Sequence, residues 1–220
     1  RAAFAVNRLQ SVVIPASVTS IGANAFLGNA LTSVVIPEGV TSIREGIFQR
    51  NNLQSVVIPN GVTSIGANAF LNNDLISVVI PASVTSIGAN AFLNNDLISV
   101  VIPASVTSIG ANAFLNNDLI SVVIPEGVES IGSLAFGNNP LSSVTSLSTD
   151  PAEINDDFRD PFRGLDRSVI TLTIPASTTQ AYQDKGWTGF TIVEDVTLST
   201  TDTSVSLKDN FVVLTNPNSI

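Results

Sequence analysis

Leucines recur every 22 residues along this chain, at Leu9, Leu31, Leu53, Leu75, Leu97, Leu119 and Leu141. Residues 75–96 and 97–118 are identical, both reading LISVVIPASVTSIGANAFLNND. Six full units cover 9–140. Residues 1–8 match the end of another unit, because Phe4 precedes Leu9 by five residues just as Phe26 precedes Leu31. A fixed period of roughly 20–50 residues means a stack of equivalent turns, since one such unit cannot bury its own apolar side and a neighbour can.

The chemistry inside a unit sets its pieces. L-x-S-V-V-I is a short β-branched strand. The proline that follows, at 15, 37, 59, 81, 103 and 125, cannot donate to a ladder and ends it. A two-residue turn leads into V-T-S-I, a second extended segment. G-A-N-A-F-L is short and Ala-rich and is expected to form one helical turn, and Asn-Asn then turns the chain into the next unit. Stacking makes continuous inward columns of the Leu9, Val12, Ile14, Val18 and Ile21 types. It also makes a spine of Phe26, Phe48, Phe70, Phe92, Phe114 and Phe136, each buried ring contributing about 1.5–3 kcal/mol.

The pattern L-x-S-V-V-I-P-x-x-V-T-S-I-G-x-x-A-F resembles the BspA-like class of bacterial leucine-rich repeats, over residues 1–194. The units here have 22 residues where the class usually has 23, and Asn-Asn stands where some members carry Cys. The resemblance implies an α/β leucine-rich-repeat solenoid, curved, with short strands and short helical turns, closed by a C-terminal capping unit. It also implies a binding module rather than an enzyme. The expected divisions are repeats over 1–147, an irregular acidic loop and cap over 148–194, and a linker or start of a further domain over 195–220. The cap is 169–194, with a strand ending at Ile174-Pro175, a helix through Ala181-Tyr182, and Gly186-Trp187 packing back. The only Tyr and the only Trp of the chain lie there, as expected of residues that cover an apolar solenoid end. Beyond it, Phe211-Val212-Val213-Leu214 leads into Leu214-Thr215-Asn216-Pro217. This is similar to the Y-P-N-P start of the sorting domain used by the type IX secretion pathway, without its Tyr and first Pro. A signal peptide upstream and a full sorting domain downstream are expected in the native gene.

Composition narrows the function. The net charge is −9, from nine basic and eighteen acidic residues, a poor match for a phosphate backbone, so nucleic acid is not an expected partner. There is no Cys, His or Met. That removes disulfides, thiolate nucleophiles, the commonest general base and the commonest zinc ligands. No nucleophile-elbow, phosphate-loop or dinucleotide motif is present, and no apolar run approaches the roughly 18 residues of a membrane span. No cofactor is expected.

The residues that remain for function lie on the outside of the stack. Val13, Val35, Val57, Val79, Val101 and Val123 alternate with inward positions and form an outward apolar stripe. Thr19, Thr41, Thr63, Thr85 and Thr107 form a hydroxyl column, with Ser20, Ser42, Ser64, Ser86 and Ser108 beside them. Together they are the candidate interaction surface. Asp156, Asp157 and Asp160 are the candidate calcium ligands, in a cluster with Asp150 and Glu153. Interleaved Arg159, Arg163 and Arg167 and the lack of EF-hand spacing favour a solvated loop instead. Asp74, Asp96 and Asp118 and the paired asparagines read as structural columns. The expectation is a monomeric, adhesin-like protein, secreted or on the outer surface of a Gram-negative bacterium, that binds a protein or glycan. A spacer, or a hydroxyl array that binds ice, is the alternative.

Overall fold

The computed structural model describes residues 2–154 and 159–199, together with the backbone of 204–208 and 211–215. It is a parallel β-solenoid of leucine-rich-repeat type. Each turn contributes two extended segments, and like segments of successive turns pair in parallel at a 22-residue offset.

The first segments form β1 (Ser33–Val35), β3 (Ser55–Val57), β7 (Ser121–Ile124) and β9 (Ser143–Ser146). Ser33 is in register with Ser55 and Val35 with Val57, and single bridges carry the ladder from Val57 to Val79 and on to Val101. The second segments form β2 (Ser42–Ile43), β4 (Ser64–Ile65), β5 (Ser86–Ile87), β6 (Ser108–Ile109) and β8 (Ser130–Ile131), a five-stranded parallel sheet in that order. Alternation sends Val34, Ile36, Val56 and Ile58 inward and leaves Val35 and Val57 outside. The core is one cluster running from Ile21 to Trp187. In the first unit Leu9, Val12, Ile14 and Val18 are only half-buried, because they have a neighbouring turn on one side alone.

The expected helical turn is two tight turns instead. In the unit 75–96, Ala91 N–H donates to Gly88 C=O and Leu93 N–H to Asn90 C=O, both at 3.3 Å. Between them Asn90 sits at φ +57°, as Asn24, Asn68 and Asn112 do in their units. A left-handed residue cannot continue a right-handed helix, and Asn tolerates that region better than most residues. The backbone donors thus freed reach along the stack, with Phe92 N–H bonding Ala113 C=O at 2.8 Å. Glycine opens the segment for a packing reason: a Cβ on Gly88 would stand 2.5 Å from the Ala67 nitrogen of the preceding turn.

The phenylalanine spine is as expected and longer. Phe92 and Phe114 are fully buried. Rings stack from Phe4 through Phe26, Phe48, Phe70, Phe92, Phe114 and Phe136 to Phe162, with centroids 5.3–5.8 Å apart and interplanar angles of 1–19°. Phe162 lies in the stretch that reads as an irregular acidic loop, 26 residues after Phe136. Its segment nonetheless stacks as a turn, since Leu134 N–H bonds Asp160 C=O and Phe136 N–H bonds Pro161 C=O.

The asparagine pairs divide their work. The second of each pair is buried and bolts two turns together. Asn95 donates to Phe70 C=O at 3.0 Å and Phe92 C=O at 3.1 Å, while its Oδ1 accepts from Leu75 N–H at 3.1 Å. Asn73, Asn117 and Asn139 repeat this, as does Asn51, which follows Arg50 in place of a first asparagine. The first of each pair has positive φ and forms an outer amide ladder, Asn94 to Asn72 and Asn116 to Asn94 at 2.6 Å.

The cap closes the far end. β10 (Thr171–Pro175) pairs with β9, and β11 (Thr191–Asp195) with β10, both in parallel. Between them α1 (Thr179–Asp184) carries Tyr182, which is fully buried, as is Trp187. Trp187 meets Phe162 edge-on at 5.6 Å, ending the spine. Their polar tips are satisfied, with Tyr182 Oη donating to Ser148 C=O and Trp187 Nε1 to Ala152 C=O, both at 2.8 Å. Burial pushes the Tyr182 phenol well above its ordinary value. Farther on, β12 (Ser204–Lys208) and β13 (Phe211–Thr215) form an antiparallel hairpin. Asn216 and Pro217, which carry the sorting-domain resemblance, lie outside the described residues.

Candidate interaction face

The outward stripe is present where the alternation puts it. Val13, Val35, Val57 and Val79 are 70–91% exposed. In-register pairing fixes the spacing of Val35, Val57 and Val79, which form a column of branched apolar side chains along the first-segment ladder. Exposed apolar positions in a continuous row differ from scattered ones, because a contiguous patch gains from being covered.

The column changes at units five and six. Val101 is half-buried, and Val123 is only 5% exposed, so Val123 must be withdrawn from the exposed stripe. Its direction is as expected, for it is absent from the core cluster that holds its neighbours Val122 and Ile124. It is therefore covered from outside. The backbone of β13 lies next to β7.

The threonines occupy the other ladder, on the far side of the proline turn, so the two columns do not share a strand. Thr19, Thr41, Thr63, Thr85 and Thr107 are all exposed. Their hydroxyls are partly committed to the stack: Thr63 donates to Thr41 C=O at 3.3 Å, Thr85 to Thr63 C=O at 3.2 Å and Thr107 to Thr85 C=O at 3.4 Å. Nearby, Ser42 Oγ and Ser64 Oγ bond each other at 3.1 Å. These bonds tie each turn to the one before it, which is structural work.

A third column was not anticipated. Ile76, Ile98 and Ile120 are 37–50% exposed. They stand three residues before Val79, Val101 and Val123, at the x of L-x-S, where earlier units have Gln10, Thr32 and Gln54. The substitution of Ile for Gln or Thr at a position next to a conserved outward Ser was the signal available in the sequence.

The acidic region is held by cations of the chain itself. Asp160 accepts from Phe162 N–H at 2.8 Å and pairs with Arg167. Arg167 in turn lies over the Phe190 ring at 5.1 Å and donates to Thr188 C=O at 3.0 Å. Asp150 pairs with Lys185. Asp156 and Asp157 lie outside the described residues. Among the described residues no three carboxylates converge as a cation site would require, and no helix is long and apolar enough to cross a membrane.

No curated protein sequence matches the chain. Solved structures do. A leucine-rich repeat protein from Bacteroides ovatus is 19% identical, with a TM-score of 0.40, covering 84% of this chain and 60% of its own. One from Eubacterium ventriosum is 23% identical at a TM-score of 0.46, covering 80% of this chain and 57% of its own. A leucine rich cell surface protein from Faecalibacterium prausnitzii is 22% identical at 0.43, covering 77% of this chain and 64% of its own. The chain thus spans less than two thirds of the length of each. The family model of the BspA type leucine-rich repeat region matches six copies, over residues 1–120, 41–157, 85–181 and 107–206. With most of its length matched and a 22-residue parallel solenoid as its fold, the chain belongs to the BspA-type leucine-rich-repeat family.

Proposed function

We propose that this chain is an adhesin-like binding module, secreted or held at a bacterial cell surface, that engages a protein or glycan through the outward face of its first-segment ladder. The observation that carries this reading is the uncovered column Val13, Val35, Val57 and Val79. Leaving four branched apolar side chains in line in water forgoes the stabilisation their coverage would bring, and nothing in the stacking of the turns requires Val at positions that face away from the core. The satisfied asparagine bolts and stacked rings beneath make the face rigid, which lowers the entropic cost of binding. The committed threonine hydroxyls weaken the ice-binding alternative. Export through a type IX sorting domain goes with this reading and is tested by locating the full-length product.

The direct test is attachment of the full chain to immobilised proteins and glycans, compared with Val57→Lys/Val79→Lys. Both substitutions fall on exposed side chains, so the melting temperature is expected to hold while attachment drops at least tenfold. Attachment that survives the double substitution returns the chain to the spacer reading.

A further inference from the structure

The outward face is covered in one place, and that place identifies what the rest of it accepts. Ser99 is 5% exposed and Val123 likewise, while Val101, Ser121, Ser143 and Thr145 are half-buried. All six are outward positions, since the alternating Val100, Val122 and Val144 lie in the core. The backbone of β13 lies beside β7 without joining its ladder, for β12 and β13 pair only with each other. The hairpin therefore lies over the face rather than along an edge. A two-stranded hairpin is marginal in water on its own and needs a surface. Its register pairs Val205 with Leu214 and Leu207 with Val212, so these apolar residues share one set of alternate positions.

The repeat does the rest. The covered rows are Ser99/Val101, Ser121/Val123 and Ser143/Thr145. Three units upstream stand Ser33/Val35, Ser55/Val57 and Ser77/Val79, the same residue at every position except Val79 for Thr145. Parallel in-register pairing keeps neighbouring rows about 4.8 Å apart in both places, and the upstream rows are exposed. We propose that this upstream face is a second docking site for a β-hairpin, supplied in trans by a polypeptide partner that, like β12 and β13, carries branched apolar residues at one set of alternate positions on both strands. The inference rests on the binding reading above and narrows it to a protein ligand. The flanking column weakens the site relative to the intramolecular one. It offers Thr32, Gln54 and Ile76 in place of Ile98, Ile120 and Ser142, and it lacks the effective concentration of a tethered hairpin.

The probe is a labelled, backbone-cyclised peptide with the sequence of residues 204–215, titrated into the full chain by fluorescence anisotropy. Cyclisation removes the cost of folding a free hairpin. Saturable binding is expected, weakened at least tenfold in Val57→Lys/Val79→Lys at unchanged melting temperature. A linear peptide of the same sequence is expected to bind more weakly. The proposal is overturned by absence of saturable binding up to roughly millimolar peptide. It is equally overturned by binding that the double substitution leaves unaltered, which would mean displacement of the chain's own hairpin. Attachment to glycans that depends on Val57 and Val79, with no peptide binding, would overturn this inference and leave the binding reading standing.

Discussion

Residues 75–96 and 97–118 have one sequence and two surfaces. Inside, the two units match closely: Phe92 and Phe114 are fully buried, and Asn95 and Asn117 each donate to their own and the preceding Phe carbonyl. Outside, Ser77 is exposed and Val79 is 72% exposed, whereas Ser99 is 5% exposed and Val101 half-buried. The residues are identical, so the difference lies in their surroundings. The inner half of each unit is thus decided by its nearest neighbours in the stack, and the outer half by a segment about 100 residues away in sequence.

Four experiments sharpen or break this comparison. The largest effect belongs to the spine. Phe92→Ala and Phe114→Ala should each cost about 3–5 kcal/mol in denaturant unfolding, as large buried cavities do. The two values should agree, and a clear gap between them would mean that the inner halves are not equivalent. The asparagine bolts come next. Asn95→Ala and Asn117→Ala should each cost about 1–3 kcal/mol, because each leaves a buried Leu N–H without its acceptor and takes one of the two amide donors from each of two Phe carbonyls. Here too the pair should match.

The outer face should separate them. Val79→Lys should be neutral within about 0.5 kcal/mol, whereas Val101→Lys should cost about 1–2 kcal/mol and speed amide exchange in 204–215. Deleting 200–220 should make the Val101 substitution as harmless as that at Val79. Persistence of the difference after deletion would show that the hairpin is not what covers unit five.

The smallest effect contrasts the repeats with their cap. Glu194 accepts hydrogen bonds from the Thr179 hydroxyl at 2.7 Å and the Thr179 amide at 3.2 Å, which hold its carboxyl below the ordinary value. A depressed carboxyl stabilises the folded cap above its unfolded-state value and loses that contribution as pH falls through the folded one. Acidification below the usual carboxylate range should therefore speed amide exchange in α1 slightly and leave the stack of units four and five unchanged. Glu194→Gln should remove the dependence.

Much of this was legible in the chain itself. The period, the Phe column and the inward and outward alternation of the first segment all follow from side-chain type and spacing. Each is a nearest-neighbour matter that a 22-residue pattern states directly. The Ala-rich segment was misread because Ala favours a helix intrinsically, while Asn90 and its equivalents take a left-handed conformation that only inter-turn hydrogen bonding rewards. Phe162 was missed because the four extra residues before it break the period without breaking the stack.

The sequence by itself determined a stacked solenoid with an aromatic spine, since a repeated pattern of apolar residues has one economical way to be buried. Only the tertiary structure decided which part of the outward face is free. Val79 and Val101 are the same residue in the same local sequence. Their difference arises where β13 lies beside β7 in the neighbouring unit, a long-range contact between segments that share no period and that no local pattern encodes.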